Sequence, residues 1–123
     1  MRASKKPESP SMSREEKKYL WDIVTHIDEL LSFVSDIHTP EEFRKNQLVQ
    51  SAVEREFEII GIACKNLMEL NPQIQISHIR KIIGMRNIIA HGYDEVDENI
   101  LWKTIIDFLP TLRSESALLL KSN

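Results

Sequence analysis

Arg86, His91 and Tyr93 stand inside an apolar run, in the stretch GMRNIIAHGY that begins at Gly84. Arginine is permanently charged and binds oxyanions through paired hydrogen bonds, while histidine takes up and releases a proton near neutral pH. These residue types favour acid–base chemistry beside a bound anion. A polar helix end is the alternative interpretation, because a cationic histidine interacts favourably with a helix C-terminus and Gly92 is typical of the position just beyond one.

The spacing of the three residues is unlikely to arise by chance in a chain of this composition. A shuffled chain of this composition would contain Arg-x4-His about 0.2 times, and requiring a tyrosine two residues later lowers the expectation to roughly 0.004. On local evidence, the active site and the polar helix end remain comparable interpretations.

The composition is that of one ordinary soluble domain, with 123 residues, 41% hydrophobic and 28% charged. Cys64 is the only cysteine, which excludes a disulfide framework and a cysteine-based zinc site, and its apolar neighbours favour a buried, inert thiol. No uncharged apolar stretch approaches the ~18 residues of a membrane span, and no signal-peptide pattern opens the chain. We therefore expect a cytoplasmic protein without a membrane partner.

Charge is distributed unevenly along the chain. The net charge of −3, from 16 basic and 19 acidic residues, argues against nucleic-acid binding over the whole surface. Residues 77–92, however, contain no acidic residue. Their basic residues are His78, Arg80, Lys81, Arg86 and His91, and four acidic residues follow closely: Asp94, Glu95, Asp97 and Glu98. A local basic patch beside an acidic edge is expected.

The first half of the chain predicts two long helices and a short one after a disordered tail, residues 1–12. Met12 is an alternative start, in which case the residues before it are a leader. Residues 13–123 form the predicted helical domain, and Ser13 and Glu16 have the spacing of a capping box. One apolar stripe of the first helix follows: Leu20, Ile23, Val24, Ile27, Leu30, Leu31 and Val34. Thr39 and Pro40 then predict the start of a short helix carrying Phe43.

The second long helix is predicted over 47–70 and ends at Asn71-Pro72. Gly61 within it indicates a close helix contact. Its inner face carries Val49, Ala52, Val53, Phe57, Ile60, Ala63, Cys64 and Leu67.

The second half of the chain predicts a third main helix, capped by Ser77 and stopping near Gly92, and a last one capped by Asp97. Pro110 should kink or interrupt the last helix, and the residues after Ser114 are weakly specified. The inward residues of the two helices are Ile79, Ile82, Ile83 and Ile89, then Leu101, Ile105, Phe108, Leu109 and Leu112. No segment alternates like a strand. The predicted fold is all-α, an up-and-down bundle of four main helices plus a short helix.

Arg86-x4-His91-x-Tyr93 resembles the signature of HEPN-domain proteins, specifically the HepT toxins of HepT/MntA toxin–antitoxin pairs. The stretch 51–67 is similar to the family's second long helix, and 79–112 to its motif helix, the following turn and its last helix. The resemblance covers nearly all of residues 14–113. It departs at Ile62, where many relatives have glutamate, and at Arg80, near where an aromatic residue often precedes the motif helix.

The resemblance implies a HEPN-like, metal-independent ribonuclease that works without a cofactor as a homodimer and cleaves transfer RNA or messenger RNA. His91 would move protons to and from the RNA oxygens, and Arg86 would clamp the phosphate. Asn87 would position a phosphate or sugar, although a solvent-facing role is equally compatible with it. The chain shows no metal-ligand cluster, and the other histidines are interpreted as structural or solvated: His26, His38 and His78.

Helix geometry constrains how these residues can meet. Positions five apart are separated by about 140° around a continuous helix, so Arg86 and His91 would point in different directions. Either the helix breaks at Gly92, or two chains face each other across a two-fold axis and each contributes to one cleft. The second arrangement suits the chemistry better.

Tyr93 has three candidate roles: lining the cleft, stacking on a base, or accepting a regulatory modification. The resemblance favours the last, because an MntA-like minimal nucleotidyltransferase antitoxin transfers AMP to the tyrosine of this motif. The added bulk and negative charge would block RNA binding.

Two alternatives to a ribonuclease toxin remain for the chain as a whole. One is a non-catalytic helical binding module, whose motif stabilises a dimer or docks an enzyme, and the other is a regulatory subunit of the nucleotidyltransferase.

Overall fold

The described part of the chain, residues 12–92 and 96–122 of a computed structural model, is built from helices alone. The helices are α1 (Arg14–Phe33), α2 (Pro40–Arg44), α3 (Gln47–Leu70), α4 (Ile79–His91), α5 (Glu98–Asp107) and α6 (Leu109–Ser122). The all-α prediction is confirmed, with the predicted last helix divided into α5 and α6. Most of the predicted tail lies outside the described residues, while Met12, its last residue, packs half-buried against the core.

Side-chain caps start most of these helices where the sequence predicts them. Ser13 forms a capping box with Glu16, in which the Glu16 N–H donates to Ser13 Oγ at 3.1 Å and the Ser13 N–H donates to Glu16 Oε1 at 2.9 Å. Thr39 accepts from the third residue of α2, and Asp97 accepts from the first turn of α5. Asn46 caps α3. Such caps stabilise a helix by about 1 kcal/mol each.

The predicted cap of α4 is wrong. Ser77 does not cap the helix, because its N–H and hydroxyl both donate to the Glu115 carboxylate of α6, at 2.6 and 2.9 Å. His78 takes the N-cap position with a left-handed φ of 68° and makes no side-chain cap bond. Its ring packs against Phe108, with centroids 4.6 Å apart. A tertiary contact thus replaces the local cap that the sequence pattern suggested.

The chain beyond Pro110 confirms one prediction and overturns another. The last predicted helix is interrupted at Phe108, two residues before Pro110, as the missing N–H of proline requires. The residues after Ser114, however, are not weakly specified, because α6 continues to Ser122 and buries Ser116 completely. Packing against α1 therefore supplies the order that local sequence does not.

The core is formed mainly where α1 packs on α3 and on α6 and where α4 packs on α3, and α5 adds Leu101 and Ile105. An exposed ion pair joins α1 to α6, with Arg113 Nε and Nη2 donating to the two Asp28 oxygens at 2.9 and 3.0 Å. The largest fully buried side chains are Phe43, Phe57, Leu20, Ile23, Ile27, Leu30, Ile60, Leu67, Ile82, Leu101, Ile105 and Leu109. Among the described helices, none is long and apolar enough to cross a membrane. The helix that carries the candidate site packs mainly on α3, and its first turn also contacts Phe108 at the end of α5.

Candidate active site

Arg86 lies against α3 because Gly61 leaves room for it. The preceding residue, Met85, is buried together with Ile79 and Ile82 on the inner stripe of α4. At Gly61 a Cβ atom would overlap Arg86 Cβ, so the absence of a side chain lets the two helices approach. The Arg86 side chain is 22% exposed as a result. The close helix contact predicted at Gly61 is confirmed.

The Arg86 guanidinium is only partly satisfied. Its Nε lies 3.6 Å from Glu58 Oε1, and Nη1 donates to Asn87 Oδ1 at 3.3 Å. Nε is buried, and no described residue makes a hydrogen bond with it. A buried donor without a partner costs about 1–3 kcal/mol. A bound oxyanion would remove that cost, which makes this guanidinium a candidate anion-binding group.

His91 and Asn87 occupy a different face of α4 from the one that Arg86 buries. Both are exposed and stand one turn apart, as neighbours on the helix surface. The helix does not break before His91, since the Gly92 N–H bonds Ile88 O at 2.6 Å and Gly92 keeps helical dihedrals. Arg86 and His91 therefore retain the separation of about 140° predicted for a continuous helix. One chain alone does not bring both groups to one atom.

One carboxylate that the sequence did not single out contacts the guanidinium, and two others interact with each other at the start of α5. Glu58 on α3 contacts Arg86, and Glu54 precedes it by one helical turn. Burial, and then hydrogen bonding to Glu54, raises the pKa of Glu98, the first residue of α5, to about 7. The Oε1 atom of Glu98 is buried and has no hydrogen-bond partner among the described residues. The i, i+4 spacing of the two α3 glutamates was the available signal, but only the fold places them beside α4 and α5.

A second polar cluster, whose residue types could ligate a metal ion, lies between α1 and α3. His26 Nδ1 is 2.8 Å from Glu56 Oε1 and 3.7 Å from Glu29 Oε1. One ligand-type atom from each residue lies within 4.8 Å of the others. Burial is the main reason why the pKa of Glu56 is raised. Glu56 and Glu58 are two residues apart, about 200° around α3, so the cluster faces away from Arg86.

Two further sequence predictions concern Tyr93 and Cys64. Tyr93 lies outside the described residues, directly after Gly92. Cys64 is fully buried, and burial raises the pKa of its thiol to about 12, which confirms the prediction of an inert cysteine.

Comparisons with known proteins agree on one family. The sequence profile of the HepT-like family, described as "Ribonuclease HepT-like", matches residues 23–117. The chain is 36% identical over 108 residues to "Probable ribonuclease HepT" of Thermococcus cleftensis, covering 85% of this chain and 94% of that protein. It is 31% identical over 106 residues to "Putative RNase MJ1380" of Methanocaldococcus jannaschii, covering 83% and 94%. It is 33% identical over 100 residues to "Putative RNase TTE0752" of Caldanaerobacter subterraneus, covering 80% and 88%. No solved structure is significantly similar to the chain.

Proposed function

Because the chain belongs to the HepT-like ribonuclease family, we propose that it is a metal-independent endoribonuclease that cleaves cellular RNA, transfer RNA or messenger RNA. Family membership supports RNA cleavage. The observation that carries the mechanism is the Arg86 guanidinium, held against Gly61 with a buried Nε–H that lies 3.6 Å from Glu58 Oε1 and makes no hydrogen bond with a described residue. An RNA phosphate is the anion that suits it.

The proposed reaction is attack of a ribose 2′-hydroxyl on the adjacent phosphate. The 2′ oxygen forms a bond to phosphorus, the bond to the 5′ oxygen of the next nucleotide breaks, and a proton moves from the first oxygen to the second. His91 is exposed at the end of α4 and can act as the base or the acid at neutral pH. Arg86 stabilises the charge that grows on the phosphate. Asn87 bonds the guanidinium and positions it or the substrate.

The active form is proposed to be a homodimer. Arg86 faces α3 while His91 faces solvent, so a two-fold arrangement of two α4 helices is the simplest way to place both groups in one cleft. Ile62 supports this arrangement, because it is 41% exposed and follows Glu58 by one turn on the same face of α3. Ile88 on α4 is also exposed, at 49%. Exposed apolar side chains are expected at a subunit interface, here beside a site whose two groups a single chain does not bring together.

The chain is further proposed to be the toxin of a type VII-like toxin–antitoxin pair, restrained by an MntA-like minimal nucleotidyltransferase. Its switch would be AMP transfer from ATP to the Tyr93 hydroxyl, with release of pyrophosphate. Tyr93 follows His91 by two residues, so the modification would place a negative charge and a nucleotide beside the cleft. RNA phosphate would then be repelled. The antitoxin and the modified tyrosine rest on the sequence motif and on family membership.

Expression of the chain alone tests this proposal. We expect growth arrest that is abolished by His91→Ala, with the variant folded and as stable as the wild type. A folded His91→Ala chain that remains toxic would contradict the catalytic role. A wild-type chain that cleaves no RNA at any concentration, yet binds the nucleotidyltransferase, would instead identify a regulatory subunit or binding module.

A further inference from the structure

A groove between α3 and α4 leads away from the candidate active site. It has a volume of about 420 Å³ and starts at Asn87, whose Oδ1 accepts a hydrogen bond from Arg86. It runs along α4 past Gly84 and Ile83 to Arg80, with Met68 on the opposite wall. Arg80 and Arg86 are six residues apart, or about 9 Å along the helix axis. Arg86 does not line the groove, but the groove starts one hydrogen bond away from its guanidinium, at Asn87, and ends at a second arginine, Arg80.

The charge of this groove suits a polyanion. α4 carries no acidic residue. Arg80 is exposed and forms no ion pair with any described residue. On the α3 side, Lys65 Nζ pairs with Glu69 at 3.2 Å, so these two lining charges neutralise each other. Arg80 is thus the uncompensated cation of the groove.

The floor of the groove is open where α4 carries a glycine. A Cβ atom built at Gly84 would meet nothing within 4 Å. Ile83 and Met68 provide apolar side chains on either side of this opening. Volumes of about 300–1,000 Å³ are typical of sites for a single small molecule. The groove can therefore accept one base or ribose, but not a duplex.

We propose that this groove binds the single-stranded RNA that adjoins the cleaved bond, with a neighbouring phosphate on Arg80 and its base or ribose against Met68, Ile83 and Gly84. This inference rests on the proposed function, since the strand must pass from Arg86 into the groove. The contacts are to phosphate and to apolar surface, so they select single strands over duplexes without reading sequence. Arg80 is accordingly a positioning residue for substrate.

Substitutions at Gly84 separate RNA binding from folding. Glycine in a helix interior is unfavourable relative to alanine, and the space around Gly84 is free, so Gly84→Ala and Gly84→Leu should be at least as stable as the wild type. Their RNA affinity should fall in order of size, with Gly84→Leu weakening binding of a labelled single-stranded oligonucleotide about tenfold. A variant that gains stability while it loses RNA affinity is not explained by misfolding.

Substitution of Arg80 tests the phosphate contact. Arg80→Ala should weaken binding of the oligonucleotide about tenfold, equivalent to about 1.4 kcal/mol, because it removes a charge-assisted hydrogen bond to phosphate. The slope of log affinity against log salt should decrease by about 0.7, the value for one phosphate on a single strand. Lys121→Ala removes the same charge from the last turn of α6 and should change affinity less than twofold.

Cleavage measurements distinguish failure of this inference from failure of the proposed function. The wild-type dimer should cleave a long oligonucleotide with a higher kcat/KM than a dinucleotide. Arg80→Ala and Gly84→Leu should reduce the ratio of these two kcat/KM values. If the wild type cleaves both RNAs and the variants keep its ratio and affinity, the groove is not an RNA site. If Gly84→Leu dissociates the dimer, a second copy of the chain occupies the groove and the inference is wrong. If the wild type cleaves neither RNA, the proposed function itself fails.

Discussion

Replacing Gly61 with alanine tests whether the close approach of α3 and α4 holds Arg86 in place. The new methyl group would overlap Arg86 Cβ, which is fixed to the α4 backbone and cannot rotate away. Relief therefore requires the two helices to separate. Overpacking of this kind costs about 1–3 kcal/mol, and alanine returns about 1 kcal/mol through its better helix propensity. The net loss is then about 0–2 kcal/mol, and we expect a value near its upper end, about 2 kcal/mol, because backbone must move.

Gly84→Ala is the matched control for this substitution. It makes the same change in α4, where nothing lies within 4 Å of the new atom, and should stabilise the protein by about 0.5–1 kcal/mol. Urea unfolding at one fixed protein concentration measures both free energies. Gly61→Ala should also lower kcat/KM for RNA cleavage, because Arg86 moves with α4. A Gly61→Ala protein with wild-type stability and wild-type cleavage would refute the role given to this contact.

Three further predictions concern pH, capping and regulation. The pKa of Glu98 is about 7 in the folded protein against 4.5 for an ordinary glutamate, so its contribution to folding is complete below pH 4.5 and is lost as pH rises through 7. The Tm of Glu98→Gln should therefore exceed that of the wild type by more at pH 8 than at pH 5; an equal difference at both pH values would contradict the shifted pKa. Ser13→Ala removes the side-chain half of the capping box and should cost about 1 kcal/mol in urea unfolding, and no loss would show that α1 does not depend on its cap. Tyr93→Phe should escape AMP transfer by the cognate nucleotidyltransferase and stay toxic in its presence, as measured by intact-protein mass and growth; AMP on Tyr19 or on no tyrosine would refute the switch.

The sequence predicted the helices whose signals are local. The bounds of α3 agree with the prediction because its apolar stripe is unbroken and Asn71-Pro72 ends it. The start of α4 differs from the prediction because Ser77 donates hydrogen bonds to Glu115, 38 residues away, and does not cap the helix. The extent of α6 also escaped prediction, since its order comes from packing on α1. Signals between distant residues are not visible in a local pattern.

The sequence motif named the candidate residues Arg86, Asn87 and His91 but did not indicate their surroundings. The angle between Arg86 and His91 follows from helix geometry alone, and the structure keeps it. The position of the Arg86 side chain depends on Gly61, and its charge is paired with Glu58. Both residues are on α3, and only the packing of α3 on α4 identifies them. The same is true of the His26–Glu56 pair, whose members are 30 residues apart.

The most direct test of the central claim is cleavage of RNA by the purified chain in the presence of EDTA, with the product ends identified. We predict cleavage that leaves a 2′,3′-cyclic phosphate and a 5′-hydroxyl. A positioned acid or base contributes about 10²–10⁴-fold to rate, so the folded His91→Ala variant should be slower by about that factor. Cleavage by His91→Ala at the wild-type rate, or cleavage by the wild type only after a divalent metal is added, would contradict the account.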